Sequence, residues 1–136
     1  MKKTNLYTVH KENNAKIIPF SGFLMPVQYE GVNAEHLHVR NSVGLFDVSH
    51  MGEFFLKGER ASELLQLLCS NDISEISDGK AQYSCLINNN GGIIDDLIIY
   101  KFNNNEFMLV VNAGNIEKDW NWICLHNEKF GNKLEN

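Results

Sequence analysis

The stretch that decides the fold of this chain is Gly91-Gly92-Ile93-Ile94-Asp95-Asp96-Leu97-Ile98-Ile99-Tyr100. Its flanks are β-branched and aromatic, and the turn-forming residues Asn88-Asn89-Asn90 lead into its two glycines. The stretch therefore predicts a strand that follows a turn. Because side chains alternate across a strand, Asp95 and Asp96 are expected to face opposite ways.

This alternation places at least one carboxylate on an otherwise apolar face, where an unpaired charge is costly. Two interpretations stay open on the pattern alone. One is structural, with the Asp as a loop cap, the partner of a lysine or a residue at the rim of the sheet. The other gives one carboxylate a dedicated partner or a chemical role. The two expected faces are Ile94, Asp96, Ile98 and Tyr100 on one side, and Ile93, Asp95, Leu97 and Ile99 on the other.

The segments around this strand predict an α+β unit, in which an antiparallel sheet packs with helices. Strands are expected at Glu53–Lys57, Ala81–Ile87, Ile93–Lys101 and Glu106–Asn112, and helices at Glu59–Cys69 and after a capping Asn115. Apolar residues at helical spacing define one buried face on each helix. These faces are Ala61, Leu64, Leu65 and Leu68 in the first helix, and Ile116, Trp120 and Ile123 in the second.

The order β-α-β-β-β-α lacks one element of a ferredoxin-like fold. A further strand would close it, and the chain ends at residues 133–136, where that strand should run. The sequence therefore predicts an open sheet edge. Such an edge argues against a life as a free-standing interaction module.

The first fifty residues give weaker signals. A short helix or loop is expected first, then a strand near Lys16–Phe20 and a Gly- and Pro-bearing loop through Ser21–Tyr29. Asn33 is a candidate cap for a helix that runs to about Ser42, before Gly44. Residues 45–52 mix apolar and polar side chains and read as a link to the next unit.

Composition excludes several classes of function. The chain has 136 residues and a net charge of −5, with no run of Lys or Arg, so nucleic-acid binding is not expected. No apolar stretch approaches the ~20 residues of a membrane span, and no apolar segment follows Met1-Lys2-Lys3 as in a signal peptide. The chain is therefore expected to work away from membranes.

The cysteines and histidines predict neither disulfides nor a metal site. Cys69, Cys85 and Cys124 are isolated among apolar residues, as expected for small buried side chains in a reducing, cytoplasmic compartment. His36 and His38 are two residues apart on a predicted helix, so they point to different faces and do not form a ligand pair.

Three longer motifs carry a resemblance to a known family. Val43–Glu53 (VGLFDVSHMGE), Asn90–Leu97 (NGGIIDDL) and Val110–Ala113 (VVNA) closely resemble the T-protein of the glycine cleavage system, a tetrahydrofolate-dependent aminomethyltransferase. Phe20–Pro26 and Asn115–Trp120 are similar to secondary blocks of the same family. The resemblance runs in order over essentially the whole chain.

The resemblance implies a piece of a larger enzyme. The family protein is roughly two to three times as long as this chain, against a single-domain length here. It is a three-domain clover-leaf with folate in a central channel. Residues 1–52 would be an incomplete segment of the first folate-binding domain, and residues 53–136 the ferredoxin-like second domain. The implied partners are tetrahydrofolate and the lipoylated H-protein, and the chain would be inactive alone.

The resemblance also assigns site residues. Asp96 matches the catalytic carboxylate, which lies near the reactive folate nitrogens, and Met51, Tyr83 and Asn112 match folate-contacting positions. From the residues alone, each of the three has a plainer alternative. Met51 and Tyr83 would be core side chains, and Asn112 an amide at a strand end that bonds the next loop.

Two further residues of the first motif are interpreted as structural. Histidine is a common acid or base near neutral pH, but the resemblance does not make His50 catalytic. Asp47 is expected to cap or brace the link rather than to act chemically.

Other functions remain as alternatives. Relatives of the fold demethylate methylamines or methylated sulfur compounds with tetrahydrofolate, but these often depart in the Asp-Asp block, which is intact here. Non-enzymatic folate-binding proteins of the superfamily usually lack the full Val43–Glu53 block, which is also intact.

Overall fold

The computed structural model describes residues 1–136, which divide into two compact units, Met1–His50 and Met51–Asn136. None of the helices combines the length and the apolar character needed to cross a membrane.

The first unit is a small sheet with two helices. Its elements are β1 (Lys2–Lys3), α1 (Tyr7–Glu12), β2 (Lys16–Phe20), β3 (Phe23–Gln28) and α2 (Val32–Asn41). The strand order is β1-β3-β2, with β1 parallel and β2 antiparallel to β3.

Strand β3 corrects the predicted loop at Ser21–Tyr29. A tight turn with positive φ at Ser21 and Gly22 reverses the chain into this strand. Pro26 suggested a loop because proline cannot donate to a ladder. Here β1 pairs only with the first two residues of β3, so Pro26 has a neighbouring strand, β2, on one side only.

Helix α2 confirms a helix in this region but not its expected cap. Asn33 lies inside the helix, and Gly31 holds the N-cap position. The Glu35 carboxylate instead accepts the backbone N–H groups of Tyr29, Glu30 and Gly31, at 2.7, 2.9 and 3.0 Å. These backbone hydrogen bonds, that from Gly31 first, lower the pKa of Glu35. A side chain in the first turn of α2 thus holds the backbone that leads into the helix.

The second unit contains five strands and two helices. In chain order they are β4 (Gly52–Lys57), α3 (Ala61–Leu68), a 3₁₀ turn (Ile73–Glu75), β5 (Ala81–Ile87), β6 (Ile93–Asn103), β7 (Glu106–Val111), α4 (Ile116–Asn127) and β8 (Lys133–Glu135).

The sheet of this unit is antiparallel throughout, with the order β5-β6-β7-β4-β8. The four strands β8-β4-β7-β6 follow the ferredoxin-like order, and β5 extends the sheet as an outer strand. The α+β fold class is confirmed. The expectation of a missing last strand is wrong, because residues 133–135 pair with Phe55, Leu56 and Lys57 of β4. The argument against a free-standing module that rested on that open edge therefore fails.

One face of the sheet is buried and the other is exposed. The buried face packs against the apolar sides of α3 and α4, which the helical spacing predicted. Its core includes Phe54, Leu56, Leu64, Leu65, Leu68, Leu97, Ile99, Phe107, Leu109, Val111 and Ile123. Gly52 permits close contact with α4, since a Cβ there would lie 2.8 Å from Ile116. On the opposite face Tyr83, Ile98 and Tyr100 are exposed.

The prediction that the three cysteines are buried is confirmed only in part. Cys69 is buried in the core, whereas Cys85 and Cys124 are half-buried. All three are free thiols, and burial raises the pKa of Cys69 to about 12. Cys69 is therefore a protonated, inert packing residue.

Candidate active site

The two adjacent carboxylates lie in strand β6 and face opposite ways, as the alternation predicted. Asp95 points to the buried face and is only 7% exposed. Asp96 is half-buried and lies on the exposed face beside Ile98 and Tyr100. The carboxylate in an apolar setting is therefore Asp95.

Tyr83 contacts Asp96 directly. Strand β5 is paired with β6 so that Cys85 lies opposite Asp96 and Tyr83 opposite Ile98. The Tyr83 hydroxyl donates a hydrogen bond to Oδ2 of Asp96 at 3.0 Å, and this bond is the first cause of a raised Tyr83 pKa. Tyr83 is 64% exposed, so the alternative of a core aromatic is wrong. The phenol stays protonated and serves as a donor.

Asn112 joins the two carboxylates. It follows the last residue of β7, and its Nδ2 lies 3.1 Å from Oδ1 of Asp96, 3.1 Å from the Asp96 carbonyl and 3.2 Å from Oδ1 of Asp95. One NH₂ group has two hydrogens for these three acceptors, so one hydrogen is shared. The alternative of an amide that only bonds the next loop is wrong.

Asn115 stands at the N-cap position of α4, but its side chain makes no capping bond. Its Nδ2 instead donates to Oδ1 of Asp95 at 2.8 Å. The expected capping role is therefore wrong. The amide is used to hold the buried carboxylate, which is a stronger acceptor than a neutral group would be.

The charge of Asp96 is left without a cationic partner. Both of its hydrogen-bond donors, Tyr83 and Asn112, are neutral. The Lys118 ammonium donates to the carbonyl of Ile94 at 2.7 Å. Each carboxylate oxygen has two lone-pair sites and uses one here. Asp96 is thus fixed in orientation while it can still accept a proton or stabilise a cation.

Met51 lies at the same end of the sheet as Asn112, but its side chain makes no hydrogen bond to Asp96 or to the residues that hold Asp96. It is half-buried and immediately precedes β4, whose first residue Gly52 is paired with Val111 of β7. The antiparallel register therefore brings Met51 to the level of Asn112.

The side chains of His50 and Asp47 contact other side chains of the first unit. The His50 ring packs edge-on against Phe20 and Phe23, with centroids 5.6 and 6.3 Å apart. Asp47 accepts hydrogen bonds from Thr4 at 2.9 Å and from His10 at 2.7 Å. The bracing role expected for Asp47 is confirmed.

An open cavity of about 750 Å³ also lies in the first unit. His10, Tyr29 and Asp47 line it together with apolar side chains such as Phe46. None of the four predicted site residues does so. This cavity and the predicted chemistry therefore do not coincide.

Comparison with known proteins identifies the family. The model of the GCVT N-terminal domain matches residues 6–136. The chain belongs to this family. The family resemblance carried by the three sequence motifs is thereby confirmed.

Several relatives are similar over nearly the whole chain. The aminomethyltransferase of Flavobacterium psychrophilum is 67% identical over 128 residues, which cover 94% of this chain and 36% of the relative. That of Staphylococcus carnosus is 53% identical over 136 residues, or 100% of this chain and 37% of the relative. The chain thus spans little more than a third of the length of these relatives.

A solved structure shows the same fold. The crystal structure of the glycine cleavage system aminomethyltransferase T from Bartonella henselae matches with a TM-score of 0.89 at 36% identity. The match covers 98% of this chain and 37% of that one.

One residue of the cluster escaped the sequence analysis. Asp119 lies on α4 beside Asp95, and its side chain is fully buried. The sequence does contain a signal for Asp119, because residues 116, 119, 120 and 123 share one face of a helix at spacings of three and four. A carboxylate on that stripe marks the position as unusual, in the same way as the Asp pair on its strand.

Proposed function

We propose that this chain provides the carboxylate site of an aminomethyltransferase of the glycine cleavage system. The enzyme would transfer the aminomethyl carbon from the dihydrolipoyl arm of the H-protein to tetrahydrofolate and release ammonia. The proposal rests on one observation above all. In a chain of this family, Asp96 is fixed by two neutral donors, Tyr83 and Asn112, on an exposed sheet face.

Asp96 is the proposed catalytic residue. A methylene group must come to bridge two folate nitrogens while ammonia departs, so positive charge develops as an iminium and a proton leaves the attacking amine. A carboxylate without a cationic partner can stabilise that charge and accept that proton. The two neutral donors hold the carboxylate in place without neutralising it.

Tyr83, Asn112 and Met51 are proposed to contact the folate. Tyr83 and Asn112 present a phenol ring and an amide beside Asp96, and Ile98 and Tyr100 extend an apolar and aromatic surface along the same face. A flat heterocycle can pack on such a surface while the amide and carboxylate fix its polar edge. Met51 would add a soft, polarizable contact at the same end of the sheet.

Domain roles follow from the same proposal. Residues 1–52 would contribute part of a first folate-binding domain and residues 53–136 a second one. Since binding sites usually enclose most of a ligand, a chain with one third of its relatives' length would provide only part of the wall. Its partners in the reaction would be the lipoylated H-protein and tetrahydrofolate.

A chimera tests the proposal. This chain replaces the matching segment of the Flavobacterium psychrophilum aminomethyltransferase, and formation of methylene-tetrahydrofolate is measured with aminomethylated H-protein. The parent enzyme is the positive control. We expect a chimera that folds to retain transfer activity. A folded chimera that binds folate but transfers nothing would overturn the proposal, and activity on methylamines instead would favour a demethylase.

A further inference from the structure

Three buried carboxylate oxygens lack a hydrogen-bond donor. They are both oxygens of Asp119 and Oδ2 of Asp95. Asp119 is 0% exposed and Asp95 is 7% exposed, so water does not readily replace the missing donors. Burial of an unpaired carboxylate is among the most unfavourable arrangements in a protein.

The two carboxyl groups lie within hydrogen-bonding reach of each other, with Asp119 on α4 and Asp95 on β6. Oδ1 of Asp95 is already used by Asn112 and Asn115, which leaves Oδ2 for this contact. Two ionised carboxylates offer only acceptors and repel each other. A single proton on Asp119 supplies an O–H donor to Oδ2 of Asp95 and so satisfies two of the three orphaned oxygens.

We propose that Asp119 and Asp95 share one proton at neutral pH, and that this pair is the positioning element of the Asp96 site. With Asp119 as donor, Asp95 remains an anion whose Oδ1 holds Asn112 and Asn115. Asn112 in turn holds Asp96. The catalytic consequence rests on the proposed function, whereas the shared proton does not.

The charges around Asp119 favour the protonated form. Burial, followed by the hydrogen bond to Asp95 and its negative charge, raises the pKa of Asp119 to about 7. Asp96 acts in the same direction, and the Lys118 ammonium opposes it. The proton is therefore lost on moderate alkalinisation, when the second negative charge would repel Asp95 and loosen the amides.

The first experiment needs only the 136-residue chain. Carboxyl carbons and the side-chain amides of Asn112 and Asn115 are followed by NMR from pH 4 to pH 9. We expect a carboxyl titration well above the ordinary Asp range of about 4, and amide shifts of Asn112 with the same midpoint. Asp119→Asn should abolish both changes, because the new amide donates permanently to Asp95.

Two further variants keep the result interpretable. Glu117→Gln removes one charge from an exposed position on the same helix and should leave the titration unchanged. Asp95→Asn removes the other member of the pair and should lower the midpoint of the remaining carboxyl titration, while burial still holds it above the ordinary Asp range. Normal titration of both carboxyls near pH 4 in the unsubstituted chain would overturn the shared proton. Amide shifts of Asn112 that persist unchanged in Asp119→Asn would overturn the positioning role.

The catalytic consequence is read in the chimera. Asp119→Leu removes the donor and should lower kcat at pH 7 by about tenfold. Asp119→Asn should restore most of it and flatten the pH profile above 7. Equal losses in both variants would overturn the positioning role in catalysis. An inactive unsubstituted chimera would count against the proposed function alone, because the NMR titration still decides the shared proton.

Discussion

Separate substitution of Asp95 and Asp96 distinguishes the proposed catalytic role of Asp96 from the structural role of Asp95. In the chimera, Asp96→Asn keeps the size of the side chain and removes only its charge. Loss of a positioned electrostatic or proton-accepting group typically lowers kcat by about 10²–10³-fold, or about 2.7–4 kcal/mol. Because Asp96 is held by Tyr83 and Asn112 on the exposed face, the free energy of unfolding should change by less than about 1 kcal/mol.

Asp95→Asn is expected to act on stability first. Asp95 is buried and accepts hydrogen bonds from Asn112 and Asn115 at 3.2 and 2.8 Å. Hydrogen bonds to a charged group contribute about 1.5–3 kcal/mol, and those to a neutral group about 0.5–1.5 kcal/mol. With two such bonds weakened, the free energy of unfolding should fall by about 2 kcal/mol. Activity should fall less than in Asp96→Asn, because the proton acceptor remains.

The assays are steady-state formation of methylene-tetrahydrofolate and urea denaturation of each variant. Both substitutions remove one negative charge from neighbouring positions, so each is the control for the other. If Asp95→Asn loses more activity than Asp96→Asn while its stability is unchanged, the assignment of Asp96 as the catalytic carboxylate is wrong. If neither variant loses activity, the carboxylate pair is structural.

Three further predictions follow from the same contacts. Tyr83→Phe removes one donor from Asp96 and should lower kcat of the chimera by about tenfold, with Tyr7→Phe in α1 of the first unit as control. Calorimetry of the 136-residue chain with tetrahydrofolate should show no binding tighter than about millimolar, and micromolar affinity, roughly −8 kcal/mol, would mean that the site is more complete. Burial alone would raise the pKa of Asp47, but the hydrogen bonds from His10, Ser49 and Thr4 outweigh it and lower that pKa. The stability that Asp47 contributes is therefore present above its unfolded pKa of about 3.9 and lost as pH falls through the lower folded value, so Asp47→Asn should flatten that acid dependence in urea denaturation.

From the sequence alone, each of the two aspartates could lie on either face of the sheet. Alternation shows that Asp95 and Asp96 diverge, but not which of them meets the core. That choice depends on the side of the sheet on which α3 and α4 pack, and no local pattern encodes it. The same holds for Asp119, whose partner comes from a strand more than twenty residues earlier in the chain.

Errors in the strand assignment have the same origin. Residues 133–135 carry too little local preference to be recognised as a strand, yet they pair with β4 because the sheet edge there is already formed. Glycine and proline predict a loop at Ser21–Tyr29, yet Phe23–Gln28 is a strand because it pairs with β2 over most of its length. Sheet pairing overrides local propensity at both places.

The sequence by itself determined the β6 strand and its turn, the apolar faces of both helices, and the family, through three motifs that keep their spacing. These features are local, since they depend on residues a few positions apart and on the period of the backbone. The tertiary structure alone decided that Asp96 lies on the exposed face of the sheet, that Asn115 supports Asp95 instead of capping its helix, and that Asp119 meets Asp95. Each of these depends on contacts between elements distant in the chain, where burial and hydrogen-bond satisfaction outweigh what any single segment prefers.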